Sequence, residues 1–443
     1  MKIRFVTLGC KLNFAESSAI GKALLQRGHT RAKQGEEADI CVINTCSVTD
    51  NADHKDRQTI HRIHRQNPNA IIIVTGCYAQ LQPEQIAKIE GVDYVLGQNE
   101  KYEITQLVDK IERLRDSLED ASLQDAASGY SLEAQNIRVA NIREVEEFHG
   151  AYSKDDRTRC FLKVQDGCNY FCTYCTIPYA RGKSRNPAIS DIIKDAQEAI
   201  SQGAKEIILT GVNIGDFGRS TGESFLELLR ALDGLEAKGE RREAKGMDYR
   251  IRISSCEPNL LTDEIIDFVA QSKHFAPHFH IPLQSGSNEV LSIMKRRYTR
   301  ELFEERVQHI KQVMPHAFIG VDCMVGVRGE TEECFNDYVD FIKRLDVSQL
   351  HVFTYSERAN TRMLELDVCI VPKAERQRRS KILHEISEEK TRTFYANQTG
   401  REAIVLWESK KEGDQMAGFT ENYVKVYRPY DKAKVNTFEV IRL

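Results

Sequence analysis

Three cysteines in the stretch GCNYFCTYC, namely Cys168, Cys172 and Cys175, stand in C-x3-C-x2-C spacing just beyond an apolar segment. Thiolates this close in sequence can wrap one iron–sulfur cluster. Ferredoxin-type runs supply a cysteine for every iron, whereas three cysteines leave one iron of a four-iron cluster open to an external ligand. An open iron points to chemistry rather than electron storage. The competing assignment is a structural zinc site, but zinc takes four Cys or His ligands, usually in paired spacings, and no fourth ligand stands nearby.

A second set is scattered: Cys10 in TLGCKLN, Cys46 in INTCSVT and Cys77 in TGCYAQ. Each comes within a few residues of the end of a short apolar run that reads as a parallel strand, and ligands of open α/β sheets gather at the carboxyl ends of strands. Position alone leaves two readings open, a second cluster site or three small core residues, because unpaired Cys is often core. The other six, Cys41, Cys160, Cys256, Cys323, Cys334 and Cys369, sit mostly inside apolar strands or helices and read as packing.

The elements that must position these thiols follow from periodicity. In the first hundred residues, strands at 3–8, 40–43 and 71–74 alternate with helical stretches such as 16–27, which predicts a parallel sheet covered by helices. The rhythm is lost over 116–150, rich in Asp, Glu, Ser and Ala, so a domain boundary is expected near residue 145. It resumes with six strand candidates at 161–164, 206–210, 250–254, 279–283, 318–324 and 351–355, separated by helical patterns. Six strand–helix units are two short of a closed eight-fold barrel, so an open (β/α)6 barrel is expected, with its chemistry at the carboxyl ends of the strands. Beyond Pro372 a charged helix leads to alternating strands at 403–407, 423–427 and 438–441, the pattern of a small β-barrel. The fold class is therefore multidomain α/β.

The 443 residues, 41% hydrophobic and 29% charged, exclude a disordered or fibrous chain. No run reaches the roughly eighteen apolar residues of a membrane span. MKIRFVTLGCKLN goes directly into strand-like sequence, so a cytoplasmic protein with reduced thiols and no membrane contact is expected. The net charge of -4 divides unevenly: residues 372–443 carry fifteen Lys/Arg against eleven Asp/Glu, leaving -8 for the rest.

Taken in order, TLGCKLN, NTCSVT and TGCYAQ, then QDGCNYFCTYCTIPYARG, then a basic β tail resemble the radical S-adenosylmethionine methylthiotransferase family over essentially the entire chain. The resemblance implies an N-terminal domain over 1–115, a linker over 116–144, a radical core over 145–374 and an RNA-binding TRAM domain over 375–443. It implies two [4Fe–4S] clusters, one on Cys10, Cys46 and Cys77, the other on Cys168, Cys172 and Cys175, with S-adenosylmethionine as both radical source and methyl donor. GCKLNFAES, NTCSVTDNADHKDR and FLKVQDGCNYFCTYCTIPYARG are most similar to the branch that makes the 2-methylthio derivative of N6-threonylcarbamoyladenosine at position 37 of tRNA. Other branches act on isopentenyladenosine or a ribosomal-protein aspartate. A rival of another class is an iron–sulfur RNA-binding sensor, which would not consume S-adenosylmethionine.

Within that family, the S-adenosylmethionine contacts are expected at strand ends: Thr210, Gly211, Asn213, Ser255, Glu257 and Gln284, with Tyr174 either at the adenine edge or a packing residue. The same polar residues also cap helices and turns routinely. Expected partners are the anticodon stem-loop of tRNA, an electron donor such as a flavodoxin or ferredoxin, and a sulfur source. RNA contacts are expected from Lys410, Lys411, Tyr423, Lys425 and Arg428, with Lys432, Lys434, Trp407 and Tyr427 nearby, since cations meet phosphates and aromatic faces stack bases. Lys55, Arg57, Arg62 and Arg65 form a second candidate RNA face. Arg328, Thr354, Asn360 and Arg362 depart from the Pro and Gly residues usual in the family, which bears on loop conformation near the barrel mouth.

Overall fold

The computed structural model describes residues 1–33, 35–47, 49–120, 136–153, 158–235 and 247–443. They form two compact units, Met1–Glu147 with Thr176–Lys183, and Phe148–Cys175 with Ser184–Leu443.

The first unit is built on a six-stranded parallel sheet. Its strands are β1 (Lys2–Thr7), β2 (Thr30–Arg31), β3 (Ile40–Thr45), β4 (Ile71–Gly76), β5 (Tyr94–Leu96) and β6 (Asn136–Arg138), in the order β2-β1-β3-β4-β5-β6. The central strands are apolar on both faces because helices cover both. Cys41 and Ile43 pack with Ile60 and Ile63, while Ile40 and Val42 pack with Ile20, Leu24 and Leu107. Strand β5 escapes the sequence pattern because it is only three residues long.

The expected linker over 116–144 is shorter than its sequence suggests. The helix Ile104–Asp120 occupies its start and β6 pairs with β5 near its end, Val95 opposite Ile137; residues 121–135 lie outside the described residues. A run of polar residues hid an edge strand, whose outer face needs no apolar side chains.

The second unit holds six parallel strands in two sheets of three. One has β7 (Arg159–Lys163), β8 (Glu206–Thr210) and β9 (Arg250–Ile253); the other has β10 (His278–Gln284), β11 (Phe318–Val325) and β12 (Gln349–Thr354). Parallel bridges Ile251↔Phe275 and Ser255↔His280 join them. One apolar core, including Leu162, Ile207, Ile251, Ile281 and Val321, runs through both sheets. The helix Lys373–Ala396 contributes Leu383 and Ile386 to that core, and the Ser387 hydroxyl bonds both the N–H and the C=O of Leu350 on β12. The helical layer of this unit thus continues past the expected boundary at 374.

The chain ends in an antiparallel half-barrel of β13 (Glu402–Glu412), β14 (Gln415–Thr420), β15 (Lys425–Pro429) and β16 (Phe438–Arg442), ordered β15-β14-β13-β16. Strand β14 was hidden by Gly418, where a Cβ would lie 2.7 Å from the Trp407 ring. The glycine makes room for the one tryptophan, which is buried.

This half-barrel meets the amino ends of the core strands. Glu206, the first residue of β8, is fully buried and ion-paired to Arg250 and Arg252 of β9. Their remaining N–H groups donate to carbonyls of the half-barrel: Arg250 to Ile404 at 3.1 Å and Phe419 at 2.9 Å, and Arg252 to Glu421 at 3.0 Å. Burial acts to raise the Glu206 carboxyl, but Arg250 and Arg252 hold it well below the usual range. Charges inside the buried strands EIILT and RIRI were the only sequence trace of this joint.

Candidate functional site

Register brings the scattered cysteines together. Thr7 pairs with Asn44 and Thr45 pairs with Gly76, so Cys10, Cys46 and Cys77 all emerge from the carboxyl edge of β1, β3 and β4. Gly9 has φ +95°, and a Cβ there would stand 2.6 Å from Cys46 Cβ and 2.9 Å from its Sγ, so the loop carrying Cys10 rests directly on Cys46. The Asn13 amide nitrogen donates to the carbonyls of Leu8 and Thr45, at 3.0 and 2.9 Å, tying the loop before Cys10 to the residue before Cys46. Cys10 is exposed; Cys46 and Cys77 are buried.

The surroundings of this site are polar and fully buried. Gln98 Nε2 donates to Cys77 Sγ at 3.2 Å, and the Cys10 thiol donates to Asn13 Oδ1 at 3.6 Å. Glu16 accepts from Arg181 at 3.1 and 3.2 Å and from Lys101 at 2.6 Å. Burial pushes the Cys77 thiol up, with Arg181 and Lys101 pulling the other way. Arg181 comes from the segment Thr176–Lys183, which follows Cys175 in the chain but belongs to the first unit. Sequence reading placed PYARG with the radical core and missed Arg181, Gln98 and Lys101; buried charges without neighbours in sequence give no local signal.

In the second unit, Cys168, Cys172 and Cys175 lie on a loop beyond β7. Its shape is set by two left-handed residues, Gly167 (φ +68°) and Phe171 (φ +51°), the second uncommon for a side chain of that size. N–H groups are aimed at sulfur: Tyr170 N to Cys168 Sγ at 3.5 Å and Arg296 to Cys172 Sγ at 3.2 Å. Arg296 also reaches the Tyr174 hydroxyl at 3.4 Å and is ion-paired to Glu257. Burial pushes the Cys168 thiol up to about 11 and raises Cys172, so thiolates here need a cation to displace their protons. Donors directed at sulfur and a buried guanidinium beside it are the surroundings that a cluster of thiolate-bound iron requires. The residues therefore fit the group.

The expected S-adenosylmethionine contacts gather at the carboxyl ends of the strands. Thr210 closes β8; Gly211 lies where a Cβ would be 2.8 Å from the Gln165 carbonyl; the Val212 and Asn213 N–H groups both donate to Gln165 Oε1, at 2.9 and 2.8 Å. Gln165 is a positioning residue that sequence reading missed. Both side-chain polar atoms of Asn213 are buried without a partner among the described residues, as expected of groups that bond a ligand. Ser255 Oγ is 3.0 Å from His280 Nδ1, and His280 Nε2 is 2.7 Å from Asp322. Gln284 closes β10 in the left-handed region at φ +63°. Tyr174 packs against the apolar cluster that holds Val290, Met294, Val327 and Met363.

Of the expected RNA contacts, Lys410 and Lys411 are exposed, Lys425 pairs with Glu412 and Arg428 with Glu439. Tyr423 is half-buried. Its hydroxyl accepts from Arg159 at 3.2 Å and its ring packs on Phe419, Phe318 and His278, at the joint of the half-barrel with the core strands. The aromatic left at the surface is Tyr427, 50% exposed. On the helix Asp50–Gln66, Lys55, Arg62 and Arg65 are exposed, whereas Arg57 bonds the Tyr78 hydroxyl. Of the unusual loop residues, Asn360 has φ +64°, the left-handed conformation a glycine would take and that Asn tolerates. Arg328 pairs with Glu357 at 2.7 Å; Thr354 is exposed and Arg362 opens a short 3-10 turn.

Residues 2–97 match the family described as Uncharacterized protein family UPF0004, and residues 162–342 match the Radical SAM superfamily. The chain is 37% identical over 430 residues to the threonylcarbamoyladenosine tRNA methylthiotransferase MtaB of Bacillus subtilis (strain 168), covering 96% of this chain and 89% of that one. It is 35% identical to MtaB of Aquifex aeolicus (strain VF5), with 97% of each covered. It is 31% identical to the tRNA-2-methylthio-N(6)-dimethylallyladenosine synthase of Pelotomaculum thermopropionicum, covering 94% and 88%. Among solved structures, the radical S-adenosylmethionine methyltransferase TsrM from Kitasatospora setae shares the fold, with a TM-score of 0.57 over 82% of this chain and 76% of that one at 16% identity. With three-cysteine motifs in both matched regions and identity sustained across nearly its whole length, the chain belongs to the radical S-adenosylmethionine tRNA methylthiotransferases, of the type represented by MtaB.

Proposed function

We propose that the protein converts N6-threonylcarbamoyladenosine at position 37 of tRNA to its 2-methylthio derivative. The observation that carries this reading is the pair of three-cysteine sites, each with N–H donors on sulfur and buried cations beside it. The substrate is supported by relatives named for threonylcarbamoyladenosine at up to 37% identity, against 31% for those named for dimethylallyladenosine.

The C2 hydrogen of adenine is neither acidic nor part of a leaving group, so a radical route is required. When bound, a [4Fe–4S] cluster with an open iron supplies the electron that cleaves S-adenosylmethionine. Cys168, Cys172 and Cys175 hold that cluster, at the mouth of a partial (β/α)6 barrel. Arg296 steadies Cys172, and Glu257 holds Arg296. Thr210, Gly211, Asn213, Ser255, Glu257, Gln284 and Tyr174 hold the cofactor, Gln165 fixing the turn that carries three of them. Cys10, Cys46 and Cys77 would hold the second cluster, which would supply a site for the sulfur that is transferred. The half-barrel serves as the TRAM domain and binds the anticodon stem-loop through Lys410, Lys411, Lys425 and Arg428. A flavodoxin or ferredoxin supplies electrons, and a separate sulfur source restores what is consumed.

The test is mass analysis of tRNA nucleosides from cells with and without the chain. Loss of the 2-methylthio derivative with accumulation of N6-threonylcarbamoyladenosine supports the reading. An unchanged nucleoside profile overturns it.

A further inference from the structure

Two buried cations approach the N-terminal cysteines, and each does so through an amide. Lys101 donates to Gln98 Oε1, and Gln98 Nε2 donates to Cys77 Sγ at 3.2 Å. Arg181 donates to Asn13 Oδ1 at 2.6 Å, and that oxygen is the one facing Cys10 Sγ. Lys101 and Arg181 are both 1% exposed and both reach the carboxylate of Glu16, which is 0% exposed. Asn13 spends its amide hydrogens on the Leu8 and Thr45 carbonyls, so its oxygen cannot turn away from Cys10. Once Cys10 is a thiolate, that oxygen faces a negative sulfur, and Arg181 is what balances it.

Lys101 and Arg181 bring positive charge to the buried side of the site, where Glu16 and Asp56, which accepts from the Cys46 N–H at 2.9 Å, are the carboxylates. A buried cation is stabilised by negative charge that shares its site. A four-iron core on three thiolates is a net anion, and reduction adds a further negative charge. N–H donors to ligand sulfur and nearby positive charge both favour the reduced form.

Resting on the assignment of a cluster to Cys10, Cys46 and Cys77, we propose that Gln98, Lys101 and Arg181 are positioning residues that set its reduction potential. Gln98 acts by bonding the Cys77 sulfur. Lys101 and Arg181 act by offsetting the charge of the reduced state. A purely structural role, fixing the segment 176–183 on the first unit, would leave the potential where it is.

The test uses the full chain carrying Cys168→Ala, Cys172→Ala and Cys175→Ala, reconstituted anaerobically so that only the N-terminal site can hold iron. Iron is counted and the midpoint potential is followed by electron paramagnetic resonance in this background and with Gln98→Met, Lys101→Met, and Lys101→Met with Glu16→Gln. Gln98→Met and Lys101→Met shift the midpoint to more negative potential. The double change removes one charge of each sign and returns the midpoint toward the starting value; if Lys101→Met loses iron instead, the double change recovers it. Midpoints unchanged in both single variants, with iron retained, overturn the proposal. A background protein that binds no iron overturns the cluster assignment itself, and the proposal with it.

Discussion

Arg296 donates to the sulfur of Cys172 at 3.2 Å while its other terminal nitrogen is ion-paired to Glu257, so one buried guanidinium joins a cysteine proposed to hold the cluster to a carboxylate expected at the cofactor. It lies beyond β10, more than a hundred residues from the cysteine motif, beside Lys295 at φ +54°. Removing it leaves Glu257 without its cation and Cys172 without its donor. Charge-assisted hydrogen bonds contribute about 1.5–3 kcal/mol. Arg296→Met is therefore expected to slow formation of 5′-deoxyadenosine from S-adenosylmethionine by about tenfold or more, and Arg296→Lys by less. Single-turnover kinetics on iron-matched samples check it.

Ser255, His280 and Asp322 form a chain of hydrogen bonds across the two three-stranded sheets. Asp322 is held well below its usual range, against the effect of burial, by His280 and His351. His280 is thereby fixed toward Ser255. His280→Ala is expected to weaken S-adenosylmethionine binding by roughly two- to tenfold, one neutral hydrogen bond being about 0.5–1.5 kcal/mol, with iron content unchanged. Equilibrium binding to the reconstituted protein decides it; unaltered affinity would show that Ser255 does not meet the cofactor.

Gly9 leaves no space for a side chain beside Cys46. Gly9→Ala must push the loop bearing Cys10 off its neighbour, in a conformation alanine disfavours. The expected result is loss of about half the bound iron, as one of two four-iron clusters would require. The spectrum of the cluster on Cys168, Cys172 and Cys175 is retained.

Breaking one partner of a buried ion pair costs about 3–5 kcal/mol, and Glu206 serves two arginines. Glu206→Gln is expected to destabilise the second unit by about 3 kcal/mol at neutral pH, read by denaturant unfolding. The carboxyl titrates below its ordinary value of 4.5 in the folded state, so its contribution is present above that pH and is lost as pH falls below it. The gap between wild type and variant narrows in acid.

Lys410 and Lys411 are exposed on β13. If they meet phosphates, Lys410→Ala with Lys411→Ala weakens tRNA binding and lowers the slope of log affinity against log salt by roughly two. Tyr423→Phe, changed only at the joint with Arg159, leaves RNA affinity intact and lowers stability.

Much of this was legible in the chain itself. The spacing of Cys168, Cys172 and Cys175, the alternation of strands and helices, and the basic tail are local patterns, because a strand or a chelating loop is specified by residues a few positions apart. Strands β5, β6 and β14 were missed where they are short, at an edge, or interrupted by glycine. Convergence of Cys10, Cys46 and Cys77 needed the register of β1, β3 and β4. The direction of Tyr423 needed the joint at Glu206. The partners of the sulfurs, Gln98, Lys101 and Arg181 on one side and Arg296 on the other, were decided by tertiary structure alone. A buried charge is paid for only by its spatial neighbours, and no spacing in the sequence records which those are.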